Sequence, residues 1–168
     1  EDIRDAIARA DSEAFDALLN VEDSDLNAFS VDALLGMCVL AAAQSQSKYE
    51  ACNHLEVARM LVARGASANT LGTRNAGLLR FPLVMPITSL NVAGTDDMYA
   101  WYELLISAGA DPNMTSDVLV DGFICRMSML SRVLFFFPVT ALITTEKRLA
   151  LIKLLLRAGA NSCVYDPF

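Results

Sequence analysis

The stretch "ELLISAGADPN" (Glu103–Asn113) reads as the end of a helix, a Gly stop and a short polar turn. The phrase returns as "MLVARGASAN" (Met60–Asn69) and "LLLRAGANSC" (Leu154–Cys163). Eight residues before each Gly stand Val57, Trp101 and Leu151, and just ahead of the helix end come Met60/Leu61, Leu104/Leu105 and Leu154/Leu155. Each set falls at i, i+3, i+4, one face of a helix. A degenerate copy opens the chain, with Phe15, Leu18 and Leu19 followed by "NVEDSDLN" in place of the Gly turn. The anchors Phe15, Val57, Trp101 and Leu151 are 42, 44 and 50 residues apart, a spacing that predicts stacked units. Each Gly allows the left-handed conformation that ends a helix sharply. The Asp and Asn residues that follow (Asn69, Asp111, Asn113, Asn161) are expected to bond their own backbone in the turn.

Those residues resemble the ankyrin repeat family, whose pattern is an inner helix near "TPLHxAA", an outer helix near "VVxLLLxxGADVN" and a hairpin between repeats. "WYELLISAGADPN" (Trp101–Asn113) is a close match to the outer half, and "TSLNVAG" (Thr88–Gly94) looks like the inner half, with Ser89 for Pro and Asn91 for His. "IRDAIARADSEAFDALL" (Ile3–Leu19) resembles a first repeat and "CVLAAAQ" (Cys38–Gln44) a second inner helix. The resemblance implies an all-α, ankyrin-like helix-turn-helix solenoid, one domain of four repeats near 1–29, 30–70, 71–113 and 114–168, with hairpin or loop fingers between them.

The family period is near 33 residues, so each interval carries extra material. Long fingers are expected at "TLGTRNAGLLRFPLVMPI" (Thr70–Ile87) and "MTSDVLVDGFICRM" (Met114–Met127). Repeats two and four read instead as extended between their helices, at "SQSKYEACNHLE" (Ser45–Glu56) and "LFFFPVTALITTEKR" (Leu134–Arg148). The last inner helix falls either at Ser128–Phe137, ended by Pro138, or after Pro138; the helical spacing of Met129, Leu130, Val133 and Leu134 favours the first.

Composition excludes several classes of function. At 168 residues, 54% hydrophobic and 20% charged, the chain can bury a sizeable core. Its longest apolar run, "VLFFFPVTALI" (Val133–Ile143), is far short of the ~20 residues of a membrane span. The net charge of −7 lies at one end: residues 1–25 hold nine acids against two arginines, and the rest is balanced. That distribution does not suit phosphate neutralisation, so no nucleic acid is expected. Four scattered cysteines and one His offer no paired zinc ligands, so no metal or cofactor is expected. Unpaired cysteines suit a reducing compartment, cytoplasm or nucleus. The chain opens on Glu1 rather than Met, as a fragment of a longer protein would.

No catalytic constellation emerges, and the chain is expected not to be an enzyme. His54 lacks a nucleophile motif, and "NHLEVARMLV" resembles the family's "GHLEVV", a structural position. Asp96 and Asp97 open a helix, where acids meet its dipole favourably. Trp101 occupies an anchor position, so it is expected in the core, with Tyr99 and Tyr102 as surface candidates. Phe135, Phe136 and Phe137 cannot all face one way on a helix.

The stronger functional signal lies in the fingers. From Thr70 to Thr95 there are two bases, Arg74 and Arg80, and no acid, with Phe81 beside Arg80. Phe123 and Arg126 follow in the next finger and Arg132 in the inner helix after it. The resemblance implies a concave face that binds proteins, and Arg and aromatics are enriched at interface hot spots. The expected site is therefore a groove of Arg74, Arg80, Phe81, Asn91, Tyr99, Phe123, Arg126 and Arg132 that takes an acidic or apolar peptide segment. Against it stands the reading that these arginines are ordinary solvated side chains. Two other roles remain: self-association or scaffolding through the acidic N-terminal end or the apolar "CVYDPF" end (Cys163–Phe168), and a regulatory domain stacked on the rest of a larger protein.

Overall fold

The computed structural model of the chain describes residues 3–9, 11–19, 30–44, 48–69, 96–120, 123–136 and 144–161. They are mainly helical. The elements run α1 (Ile3–Ala8), α2 (Ser12–Leu19), α3 (Val31–Gln44), α4 (Lys48–Ala63), α5 (Asp96–Ser107), β1 (Thr115–Val120), β2 (Phe123–Ser128), α6 (Met129–Phe136) and α7 (Thr145–Arg157).

Four helices start in the same way. Asp11 Oδ1 accepts from Ala14 N at 2.9 Å, Ser30 Oγ from Ala33 N at 3.1 Å, Ser128 Oγ from Ser131 N at 3.3 Å and Thr144 Oγ1 from Lys147 N at 3.3 Å. Each side chain satisfies one of the N–H groups a helix leaves over at its start, worth about 1 kcal/mol per cap. Ser128 thus ends β2 and starts α6 in a single residue, which sets the hairpin directly against that helix.

Three helices end in the same way too. Gly65, Gly109 and Gly159 have φ of +89°, +85° and +92°. Each Gly N–H donates to the carbonyl three residues back (Val62, Ile106, Leu156) at 2.9–3.0 Å, and the following Ala N–H to the carbonyl five back (Leu61, Leu105, Leu155) at 2.9–3.1 Å. This paired closure uses the last free carbonyls of the helix and requires the left-handed residue that Gly supplies.

The turns are tied to one another. Asn69 Nδ2 donates to Gly109 O while its Oδ1 accepts from Asp111 N at 2.9 Å. Asn113 repeats the pattern one turn on, with Nδ2 to Gly159 O at 3.0 Å and Oδ1 from Asn161 N at 2.6 Å. Asn69 and Asn113 therefore reach across to the next turn, where their own turn was expected to hold them. Their backbone N–H groups are served locally instead, by Ser67 Oγ at 3.4 Å and Asp111 Oδ1 at 2.8 Å. A second strut links the same pair of turns, Ala68 N to Ala108 O at 3.0 Å.

Helix contacts follow two rows: α2, α4, α5 and α7 neighbour one another in that order, while α1 packs on α2 and α3, α3 on α4, and α6 on α7. The core runs along these contacts. The anchors Phe15, Val57, Trp101 and Leu151 are all buried, as are Leu61, Leu105 and Leu155 one turn later, whereas Met60, Leu104 and Leu154 are half-buried. Burying each of those leucines is worth about 2 kcal/mol.

Four expectations about the intervening material meet different outcomes. The stretch after Asn113 forms an antiparallel hairpin, with Thr115 opposite Ser128 and Val120 opposite Phe123. Residues 70–95, with the first finger and the inner helix read at Thr88–Gly94, lie outside the described residues. The segment Ser45–Glu56 is not a long connection: α4 begins at Lys48, so most of the extra length is two more helical turns. No Gly or Pro interrupts Lys48–Glu56, and nothing there opposes propagation once α4 is anchored on α3. The last inner helix forms at Met129–Phe136, the first of its two placements. Among the described residues no helix is long and apolar enough to cross a membrane.

Candidate functional site

His54 is buried on α4, 2% exposed. Its Nδ1 lies 2.7 Å from Glu50 O, one turn back, and its Nε2 2.9 Å from Ile7 O on α1. The Cys38 thiol of α3 donates to His54 O at 3.0 Å. One residue thus joins α1, α3 and α4, and both ring nitrogens face backbone carbonyls. A neutral imidazole carries one N–H and can donate to only one of them. Burial pushes the His54 pKa below the ordinary histidine range, against the raising influence of both carbonyls and of Glu50. Burial likewise pushes the Cys38 thiol far upward, so it stays protonated and unreactive. Among the described residues no three His, Cys, Asp or Glu side chains gather as a metal site would require.

The expected groove residues part company. Arg74, Arg80, Phe81 and Asn91 lie outside the described residues. Phe123 and Arg126 share β2, where Arg126 is exposed and stands opposite Asp117 in the strand register. Tyr99 is half-buried on α5, in the outer row, away in the chain from the finger. Arg132 is withdrawn from solvent, 7% exposed, on α6 between buried Leu130 and Val133. Its place on a presented groove is therefore corrected to the interior: one turn into a helix packed on β2 and α7, its stem covers core.

Two aromatic assignments resolve in opposite directions. Trp101 is in the core at 1% exposure, as its anchor position requires, with Nε1 lacking a hydrogen-bond partner. Tyr102, read as a surface candidate, is buried, and its hydroxyl donates to Met129 Sδ at 3.9 Å. Aligned on the Gly stops, Tyr102 takes the place of Ala58, which is also buried, and that alignment could have placed it. The hairpin itself had a readable signal in Asp121-Gly122 between Val120 and Phe123, a dipeptide that favours hairpin turns.

Compared with known proteins, the chain matches no family model, no curated protein and no solved structure.

Proposed function

We propose that the chain is an ankyrin-like repeat solenoid whose role is non-catalytic recognition of another protein or peptide through its concave face and fingers. The observation that carries this reading is the Asn bridge made twice, Asn69 to Gly109 and Asn113 to Gly159, in the same geometry 44–50 residues apart by the anchor spacing. A bridge repeated in register suits stacked units that hold an extended surface rigid, and rigid scaffolds with variable fingers suit recognition. The hairpin that projects ahead of α6 and carries exposed Arg126 is the finger part of that surface. The ligand favoured is a peptide segment with acidic or apolar side chains, met by Arg74, Arg80, Phe81, Phe123 and Arg126. The setting is intracellular, cytoplasmic or nuclear, without cofactor, nucleic acid or membrane.

The test is capture with the immobilised chain, followed by identification of what stays bound and titration of the matching acidic peptide. Replacing Arg74, Arg80 and Arg126 together by Glu should weaken binding at least about tenfold, the loss of roughly 1.4 kcal/mol, with the melting temperature unchanged. Undiminished binding by the triple variant would remove this surface from consideration.

A further inference from the structure

Aligning the three outer helices on their Gly stops isolates one face. At ten, seven and three residues before the Gly, α4 carries Leu55, Ala58 and Val62, α5 carries Tyr99, Tyr102 and Ile106, and α7 carries Leu149, Ile152 and Leu156. In α4, Leu55 and Ala58 are buried and Val62 half-buried; in α5, Tyr102 is buried and Tyr99 and Ile106 half-buried. The direction of the face is set by Tyr102, whose hydroxyl reaches Met129 on α6, in the unit that follows. On α7 the same positions are equally apolar, yet Leu149 is 49% and Leu156 47% exposed, with Ile152 half-buried between them. On α5 this face meets the unit that follows, through Tyr102, and on α7 the same face is largely open.

Charge selects what covers it. Helical spacing puts Arg148, Lys153 and Arg157 beside those leucines against Glu146, with Lys147 on the far side, so two α7 faces would repel. The opposite end of the same molecule is the acidic one, and the outer row begins there with α2. Asp5 on α1 and Glu13 on α2 are exposed, and Glu13 and the small Ala17 lie on the side of α2 opposite buried Phe15.

We propose that a second copy of this chain docks its α1–α2 end on the Leu149, Ile152 and Leu156 face of α7, continuing the outer helix row from molecule to molecule. The interface is head-to-tail, so it does not close on itself and builds open chains. Because acidic and basic ends meet, salt weakens it.

Sedimentation velocity of the whole chain at rising concentration tests this. The average mass should climb past about twice the monomer by ~0.5 mM protein at low salt, and fall back toward the monomer in 0.5 M salt. Leu149→Glu with Leu156→Glu should leave a monomer with an unchanged circular dichroism spectrum, since both positions are exposed. Lys153→Glu with Arg157→Glu (tail), and Asp5→Lys with Glu13→Lys (head), should each be monomeric alone and reassociate when mixed. Reversal of Arg74, Arg80 and Arg126 should not change the mass profile, which separates this proposal from the peptide-binding reading. A monomer at every concentration overturns the proposal, as would coverage of α7 by residues 162–168 of the same molecule. A salt-insensitive discrete dimer, or failure of the mixed variants to reassociate, overturns it too.

Discussion

The first unit of the chain and the later ones are fastened by different chemistry. Between the later turns the tie is an amide: Asn69 and Asn113 each donate to one turn's carbonyl and accept from its N–H. After α2 the sequence carries no Gly stop, and among the described residues α1 is tied to α4 by the imidazole of His54 on Ile7 O. An amide offers a donor and an acceptor at every pH and matches a carbonyl and an N–H at once. An imidazole set between two carbonyls can match both only when protonated, and burial opposes the charge that protonation brings. The amide ties of the later junctions carry no titrating group, and the imidazole tie of the first does.

The largest expected effect strikes both kinds of junction. Trp101→Ala removes the biggest buried side chain and should cost ~3–5 kcal/mol of unfolding free energy in urea titration; a loss below about 1 kcal/mol would put Trp101 outside the core. Next comes His54→Leu, which leaves the Ile7 and Glu50 carbonyls without their ring partner. We expect about 2–3 kcal/mol, with hydrogen exchange in α1 accelerating more than in α5. Equal acceleration in both helices would mean that the first unit has no junction of its own.

Asn113→Ala should cost less, about 1 kcal/mol, because its two bonds lie near solvent, and its exchange effect should centre on the Gly159 turn. The finest contrast is in pH. The folded-state pKa of His54 is lowered, so the unfolded chain binds the proton more readily. Its contribution to stability is complete above the unfolded value of about 6.5 and is lost as pH falls from there toward the lower folded value. With a single His in the chain, proton NMR can follow the ring alone. A ring that titrates above 6.5 in the folded protein would reverse the sign and show that its two carbonyl partners outweigh burial.

Much of the helical framework was legible because it is written locally. The stops at Gly65, Gly109 and Gly159 and the anchors Phe15, Val57, Trp101 and Leu151 each follow from a short window of residue types. The candidate site was legible only in part. Phe123 and Arg126 fall on a hairpin, but Arg132 was set in the groove by the resemblance and by its residue type, and burial on α6 withdraws it from solvent. Tyr102 was misplaced for the converse reason: a Tyr is at home on either side, and Met129, 27 residues later, settles it. The length of α4 was missed because no local stop marks a helix that begins early.

By itself the sequence determined where helices end and which side of each is apolar, since cap, glycine and period-3.6 spacing act within a turn or two of the chain. Only the tertiary structure decided what those ends and faces meet. The turns that the Asn69 and Asn113 amides join, and the Ile7 carbonyl that His54 Nε2 meets, lie 40 to 48 residues away, at a separation where nothing in local spacing names a partner. Stacking chose them: it brings the next turn's carbonyl and N–H within reach of each Asn amide, and it buries the Ile7 carbonyl, which would be costly to leave without the His54 ring.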